Sequence, residues 1–352
     1  MRIDDIPEQT LSVFRRGGVI PAQPLALNSK RELDPRRQRA LSRYYLDAGS
    51  AGIAVGVHTT QFAIRDVGLY EPVLKLAAEE ANSWVDRTPF MVAGVVGKTE
   101  QALTEAKMAK SLGYHAVLLG LAALNNASVD ELVAHCRKVA DVMPVVGFYL
   151  QPAVGGRNLP YEFWKRFAEI ENVVGIKMAP FNRYKTLDVV RGVADAGAKD
   201  RITLYTGNDD HIVGDLMTPF PVRINGQTET MNIVGGLLGH WSVWTRKAVE
   251  LVEEVSAIRG QETVSASWWT RDAAVTDSNG AFFDAANDYV GVIAGLHEVL
   301  RRQGLLEGIW CLDPDEDLGP GQLAEIDRVY KSYPELNDDD FVRQNLDRWL
   351  AN

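Results

Sequence analysis

Asn172-Val173-Val174-Gly175-Ile176-Lys177-Met178-Ala179-Pro180 is a short run of β-branched and other apolar residues interrupted by one lysine. Its length and composition predict a buried strand stopping at Lys177, and Pro180 keeps a helix from starting directly after it. A lysine at that place is either a surface charge paired with a carboxylate or a partly desolvated amine. Desolvation disfavours the ammonium form, lowers the pKa and leaves a free amine able to attack a carbonyl.

Apolar runs of the same kind recur on both sides and alternate with helical patterns. After a lead-in over residues 1–17 expected to be irregular, the predicted strands are Val19 to Leu25, Gly52 to Val57, Phe90 to Val95, His115 to Leu119, Pro144 to Tyr149, the opening stretch, and Arg201 to Tyr205. Asp34 before Pro35 marks one helix start, and Ser128 with Glu131 has the spacing of a capping box. Tyr149, Lys177 and Tyr205 are each 28 residues apart, a regular βα repeat. Near-continuous apolar strands alternating with helices predict a parallel sheet covered on its outside.

The eighth strand is expected over Thr230 to Val234, after an inserted loop or ribbon at 218–228. With a helix from Trp241 to Val255 it completes a (β/α)8 TIM barrel of about 250 residues. The chain thus divides into a barrel over residues 1–258 and a helical C-terminal extension over 259–352, packed on it. In the extension, residues 279–303 read as one long helix, with Asp277 and Asn279 capping its front. Asp313 to Asp317 reads as an acidic loop and 320–351 as two further helices.

Composition narrows the function. A formal net charge of -10 and the lack of a basic stripe argue against nucleic acid. The first ten residues lack the apolar core of a signal peptide, and no apolar run is long enough to cross a bilayer, so a cytoplasmic protein is expected. Cys136 and Cys311 are the only cysteines, which leaves no disulfide framework and no zinc spacing.

In a barrel of this kind the active face lies at the C-terminal ends of the strands. Thr59 and Thr60, Tyr149 and Lys177 stand at such ends, with Tyr149 and Lys177 on adjacent strands. A phenol and a threonine hydroxyl beside a lysine imine could pass the protons that imine formation and carbon–carbon cleavage require. Each has a plainer reading too: Tyr149 as a core tyrosine, and the threonines as caps of the following turn.

Gly175-Ile176-Lys177, preceded by Tyr149-Leu150-Gln151-Pro152 and by Thr59-Thr60, resembles the dihydrodipicolinate synthase and N-acetylneuraminate lyase family of class I aldolases. The resemblance runs from about Val19 to about Gly308. It implies a barrel with a helical C-terminal region, a homodimer or homotetramer, and a small carbonyl substrate, with no cofactor or metal. It further implies Lys177 as the Schiff-base lysine, Tyr149 as the proton-transfer residue, and Thr59 and Thr60 as groups that relay protons and hold a 2-oxo acid carboxylate.

Several positions depart from the family pattern. Gln61 and Phe62 replace a glycine and a glutamate, Leu124 matches a second tyrosine, Leu150 and Val154 stand for an asparagine and an arginine, and Met178 for a glutamate. The imine chemistry is therefore expected without the lysine-biosynthetic reaction, on a bulkier or less charged substrate, because Leu124, Leu150 and Phe62 make the pocket more apolar. Gly155 and Gly156 would bring the chain close to a ligand or form only a loop. Arg157 could take over carboxylate binding. In the loop after strand seven, Asp209 and His211 would touch substrate, unless Asp209 merely caps a helix. Two rival readings are a metal-dependent sugar isomerase or hydrolase using His58, His211, His240, Asp209 and Glu229, and a catalytically silent barrel that binds a 2-oxo acid.

Overall fold

The computed structural model describes residues 1–224 and 226–351. Its strands are β1 (Val19–Pro21), β2 (Gly52–Val55), β3 (Phe90–Val95), β4 (Ala116–Leu119), β5 (Val145–Leu150), β6 (Val173–Ala179), β7 (Thr203–Thr206), a hairpin of β8 (Phe220–Ile224) and β9 (Gln227–Met231), and β10 (Ile233–Leu238). Eight of them form one parallel sheet in the order β1-β10-β7-β6-β5-β4-β3-β2. A parallel bridge between Ala22 and Ala54 joins the two ends, where the Gln23 N–H donates to the Ala54 carbonyl at 2.8 Å. The barrel is therefore nearly closed, as the apolar strands predict.

The strands are buried on both faces, which explains their continuous apolar character. Ile20, Ala54, Val92, Leu118, Val146, Phe148, Val174 and Leu237 fill the interior. Ile53, Val55, Met91, Val117, Tyr149, Ile176 and Met178 pack outward against the helices.

The helices are α1 (Glu8–Arg16), α2 (Pro35–Ala48), α3 (Tyr70–Ser83), α4 (Thr99–Ser111), α5 (Val129–Ala140), α6 (Tyr161–Ala168), α7 (Arg183–Asp195), α8 (Ile212–Met217), α9 (Thr245–Ile258), α10 (Ser267–Phe282), α11 (Val292–Arg302), α12 (Gln322–Ser332) and α13 (Asp339–Trp349). Among the described residues, none is long and apolar enough to cross a membrane. The Asp34 side chain accepts the Arg37 N–H at 3.0 Å to start α2, and Ser128 and Glu131 make the expected reciprocal cap of α5.

The lead-in is not irregular. Thr10, Leu11 and Phe14 share one face of α1, and Phe14 stacks on Phe90 and Tyr205 at 4.2 and 4.8 Å between ring centroids. The Tyr205 hydroxyl donates to the Phe14 carbonyl at 2.8 Å. This helix closes the N-terminal end of the barrel.

The eighth barrel strand lies later than expected, because Thr230 and Met231 belong to the hairpin, where they pair with Pro221 and Phe220. The long helix over 279–303 is in fact two, α10 and α11. Asp284, Asp288 and Tyr289 between them have φ of 55°, 53° and 68°, which no right-handed helix accommodates. Asp277 and Asn279 lie inside α10 rather than at a helix start. Asp277 accepts from Arg328 at 2.7 and 2.9 Å and from Tyr333 at 2.7 Å, and Asn279 meets the His240 ring at 3.3 Å. Trp241 and Trp244 are buried in packing, whereas Trp269 is exposed. The Tyr44 hydroxyl on α2 donates to Asp338 at 2.8 Å, tying the end of the chain to the barrel.

Candidate active site

Lys177 sits inside β6, two residues before its end, in register with Phe148 on β5 and Tyr205 on β7. Facing residues in a parallel sheet share a side, so all three point into the barrel. Lys177 is 7% exposed, and its Nζ lies 4.5 Å from the centroid of the Phe148 ring. The amine faces a cavity of about 50 Å³ lined by His58, Thr59, Phe148, Leu150, Gln151, Phe181, Gly207, Asp209, Phe283 and Tyr289, among others. Gly207 makes room for the lysine: a Cβ there would lie 2.7 Å from Lys177 Cε.

Asp209 is the buried partner of this amine. It is 5% exposed and accepts the His240 N–H at 2.9 Å. Burial lowers the Lys177 pKa, and the carboxylate opposes that shift. Burial likewise raises the Asp209 pKa against the pull of the lysine. Burial thus drives both groups toward their neutral forms, so the amine reaches its nucleophilic form more readily than an exposed lysine does. His58, half-buried at the wall of the same cavity, is pushed down to about 4 by desolvation and by Lys177, and is neutral at pH 7.

The threonine pair is held by backbone. Thr59 Oγ1 donates to the Ala22 carbonyl at 2.6 Å, and Thr60 Oγ1 donates to the Gln23 carbonyl at 2.7 Å while accepting from Gly56 N–H at 3.0 Å. Thr59 lines the lysine cavity; Thr60 is turned into the seam between β1 and β2 and is not among its lining residues. Tyr149 faces away from the lysine. Its ring packs on Trp164 of α6 at 5.2 Å between centroids, and its hydroxyl accepts the Leu159 N–H at 3.2 Å. The plainer reading of Tyr149, a core tyrosine with a satisfied hydroxyl, describes its geometry. The cause is a register shift in the β5–β6 pairing between Val145 and Val146, which sets Phe148 instead of Tyr149 beside Lys177.

Gly155 and Gly156 also lie outside the lysine cavity, which takes Val154 from that loop. Gly156 and Arg157 line a second cavity of about 270 Å³, together with Phe62, Val96, Leu121, Ala123 and Leu159. Phe148 and Leu150 are common walls of the two. Arg157 donates to the carbonyls of Leu124 and, at 3.2 Å, Ala127, so its guanidinium serves the loop after β4 rather than a ligand at Lys177. Leu124 itself lines neither cavity, in contrast to the expectation for an apolar pocket; Leu150 lines both, and Phe62 lines the second but not the lysine cavity. His211 is absent from the lysine cavity and pairs with Asp272 at 3.2 Å. Among the described residues, no group of three or more His, Cys, Asp or Glu side chains is placed to hold a metal ion.

Sequence reasoning passed over Phe148 and Tyr289, placed Gly207 on the active face only as the start of the loop after strand seven, and weighed His58 only as a metal ligand. Nothing in β5 singles out Phe148, because the strand is apolar throughout. Tyr289 lies in a loop with no pattern to reveal it.

A family model described as the dihydrodipicolinate synthetase family matches residues 15–236. N-acetylneuraminate lyase 2 of Escherichia coli O6:H1 is 24% identical over 326 residues, which cover 91% of this chain and 95% of the lyase. A 4-hydroxy-tetrahydrodipicolinate synthase of Alkaliphilus oremlandii is 25% identical over 203 residues, which cover 57% of this chain and 66% of the synthase. Among solved structures, dihydrodipicolinate synthase from Oceanobacillus iheyensis shares the fold with a TM-score of 0.73 at 18% identity, covering 93% of this chain and 100% of that one. A Clostridium difficile protein solved in complex with mannosamine gives 0.71 at 14% identity, covering 90% and 99%. Through the match over residues 15–236, most of the barrel with Lys177 inside it, the chain belongs to the dihydrodipicolinate synthetase family, whose members are lyases acting on carbon–carbon bonds, and is an enzyme of that class.

Proposed function

We propose that the chain is a class I lyase that binds a 2-oxo acid or a related carbonyl compound as a Schiff base on Lys177 and performs aldol cleavage, condensation or dehydration through the resulting enamine. The observation that carries this reading is the buried Lys177 amine facing Asp209 in a cavity at the C-terminal ends of the strands. A protonated imine withdraws electrons from the adjacent carbon, which is what cleavage or condensation there requires. Thr59 contributes a fixed hydroxyl at the edge of the cavity.

The apolar second cavity supports a carbonyl partner with an uncharged, bulky group, and Met178 and Leu150 speak against the lysine-biosynthetic synthase reaction. An engineered cavity of about 150 Å³ lined by apolar side chains holds a benzene ring, so the space bounded by Phe62, Leu121 and Leu159 is ample for one ring or a branched chain. We also propose residues 1–258 and 259–352 as the two units, with Phe283, Tyr289 and Val292 of the second completing the cavity of the first. A cytoplasmic homodimer or homotetramer acting on a small molecule fits the same reading.

The test is borohydride trapping with pyruvate and a panel of larger 2-oxo acids, followed by mass mapping of the adduct. A reduced adduct on Lys177 is expected. Absence of any adduct there, with every carbonyl compound offered, would remove the proposal.

A further inference from the structure

The chemistry proposed for Lys177 needs a group that gives and takes protons at the imine, and Tyr149, turned outward onto Trp164, does not line that cavity. Among the described residues lining it, one other side chain is a phenol, Tyr289, which the loop between α10 and α11 carries in from the C-terminal extension. Gln151 stands beside it, and its ring meets the Phe181 ring edge to face at 6.0 Å between centroids.

Backbone strain converges on this pair. Seven non-glycine residues among those described have left-handed backbone, and two of them are Tyr289 (φ 68°) and Phe181 (φ 48°). Bulky residues avoid that region, and they hold it only where surrounding contacts over-determine the conformation. Those contacts are present. The Phe181 N–H donates to Asn208 Oδ1 at 3.0 Å, and the Tyr289 N–H donates to the Asp284 carbonyl at 3.1 Å. The buried Asp284 carboxylate takes the Gly291 N–H at 3.2 Å and the Asn287 amide at 2.6 Å, which fixes the rest of the loop. A loop that served only to join two helices would have no need of a strained tyrosine packed on a second strained aromatic residue, Phe181, from the connection between β6 and α7.

We infer that Tyr289 is the proton-transfer residue of the site. The inference rests on the Schiff-base reading and assigns to the extension a role that the resemblance gave to Tyr149. Once Lys177 has added to the C2 carbonyl, the Tyr289 phenol gives its proton to the carbinolamine hydroxyl. That group leaves as water while the nitrogen lone pair closes the C=N bond. The phenolate then takes a proton from C3, the C–H electrons form the enamine double bond, the iminium electrons return to nitrogen, and the phenol is restored. Burial and the nearby Asp209 and Asp210 carboxylates raise the phenol pKa, which keeps Tyr289 protonated before the reaction.

The experiment compares wild type, Tyr289→Phe and Tyr149→Phe with pyruvate in D2O, following loss of the methyl proton signal and, in parallel, borohydride trapping on Lys177. Wild type is expected to exchange the methyl protons and to be trapped. Tyr289→Phe is expected to exchange about 100-fold more slowly or worse, the usual scale of general acid–base catalysis, while still trapping on long incubation. Tyr149→Phe is expected to exchange within about threefold of wild type, having lost only a core hydrogen bond. Phe181→Ala, which frees the Tyr289 ring, should slow exchange in the same direction as Tyr289→Phe and covers the case in which that variant folds poorly. Trapping with undiminished exchange in Tyr289→Phe, or loss of exchange in Tyr149→Phe alone, would overturn the inference and leave the Schiff-base reading standing. No trapping in wild type would overturn both.

Discussion

Gly207 stands so close to Lys177 that a single methyl group at that position would sit 2.7 Å from the lysine Cε and 2.9 Å from the Ala179 Cβ. Its backbone is not left-handed, so alanine would fit the local conformation and clash only with the lysine and its strand. Gly207→Ala should therefore displace the amine without unfolding the barrel. The expected result is a rate of borohydride-trapped adduct at least about tenfold lower, with a melting temperature within a few degrees of wild type.

Asp209 is the one charge that favours the ammonium form of Lys177. Replacing it with asparagine removes the one charge that opposes the effect of burial on Lys177, while the amide oxygen still accepts the His240 N–H. The lysine pKa should fall further, so the pH profile of adduct formation in Asp209→Asn should move to lower pH. A move to higher pH would show that the carboxylate does not act on Lys177 as described.

Ala123 lies exposed at the edge of the second cavity. Ala123→Phe fills that edge from the outside. With an aromatic or branched aldehyde as partner, kcat/KM should drop about tenfold, the scale of a few lost apolar contacts. With acetaldehyde it should change little. Equal effects on both would show that the cavity does not receive the partner.

Acid should unfold the protein early. His58, His115, His240 and His297 are each lowered to about 4 by burial, against about 6.5 when unfolded. Each takes up a proton on unfolding as the pH falls through that window, so the stability they contribute above pH 6.5 is lost on the way to pH 4. Asp338, raised to about 6 by burial, acts in the opposite sense, since its carboxyl keeps a proton in the fold that the unfolded chain has released. Burial of Asp209 works in that same opposite sense. Near pH 5 the four imidazoles outweigh the two carboxyls, so unfolding takes up protons and stability falls with pH. Urea titrations at pH 7, 6 and 5 should show the midpoint falling at each step.

Phe14→Ala should cost about 3–5 kcal/mol, because it removes a fully buried ring stacked on two others at the closed end of the barrel. A urea midpoint lowered accordingly, with the adduct still forming on Lys177, is the expected result.

The barrel was legible because buried parallel strands must be apolar on both faces and recur at a nearly fixed spacing. That same property hid Tyr149. A strand that alternates between polar and apolar reveals which residues point inward, but Phe148-Tyr149-Leu150 is apolar throughout. The 28-residue interval from Tyr149 to Lys177 looked like a pairing, whereas the observed partner of Lys177 is Phe148. One residue of shift reverses every side chain. Lys177 was readable as the lone charge in a buried strand, and Asp209 from its place after β7, although not its pairing with the lysine. Tyr289 was unreadable for a different cause. Left-handed backbone at Asp288 and Tyr289 breaks what periodicity presents as one helix, and nothing in those side chains announces it. The face of α1, by contrast, was open to reading in Thr10, Leu11 and Phe14.

With Phe14 lodged among Phe90 and Tyr205, the barrel is a vessel with a floor. On the proposed Schiff-base chemistry, traffic through it must queue: the molecule joined to the lysine has to arrive before its partner and depart after it. Such an enzyme would show ordered kinetics, with the 2-oxo acid as first substrate in and last product out, for a reason as plain as the shape of a cup.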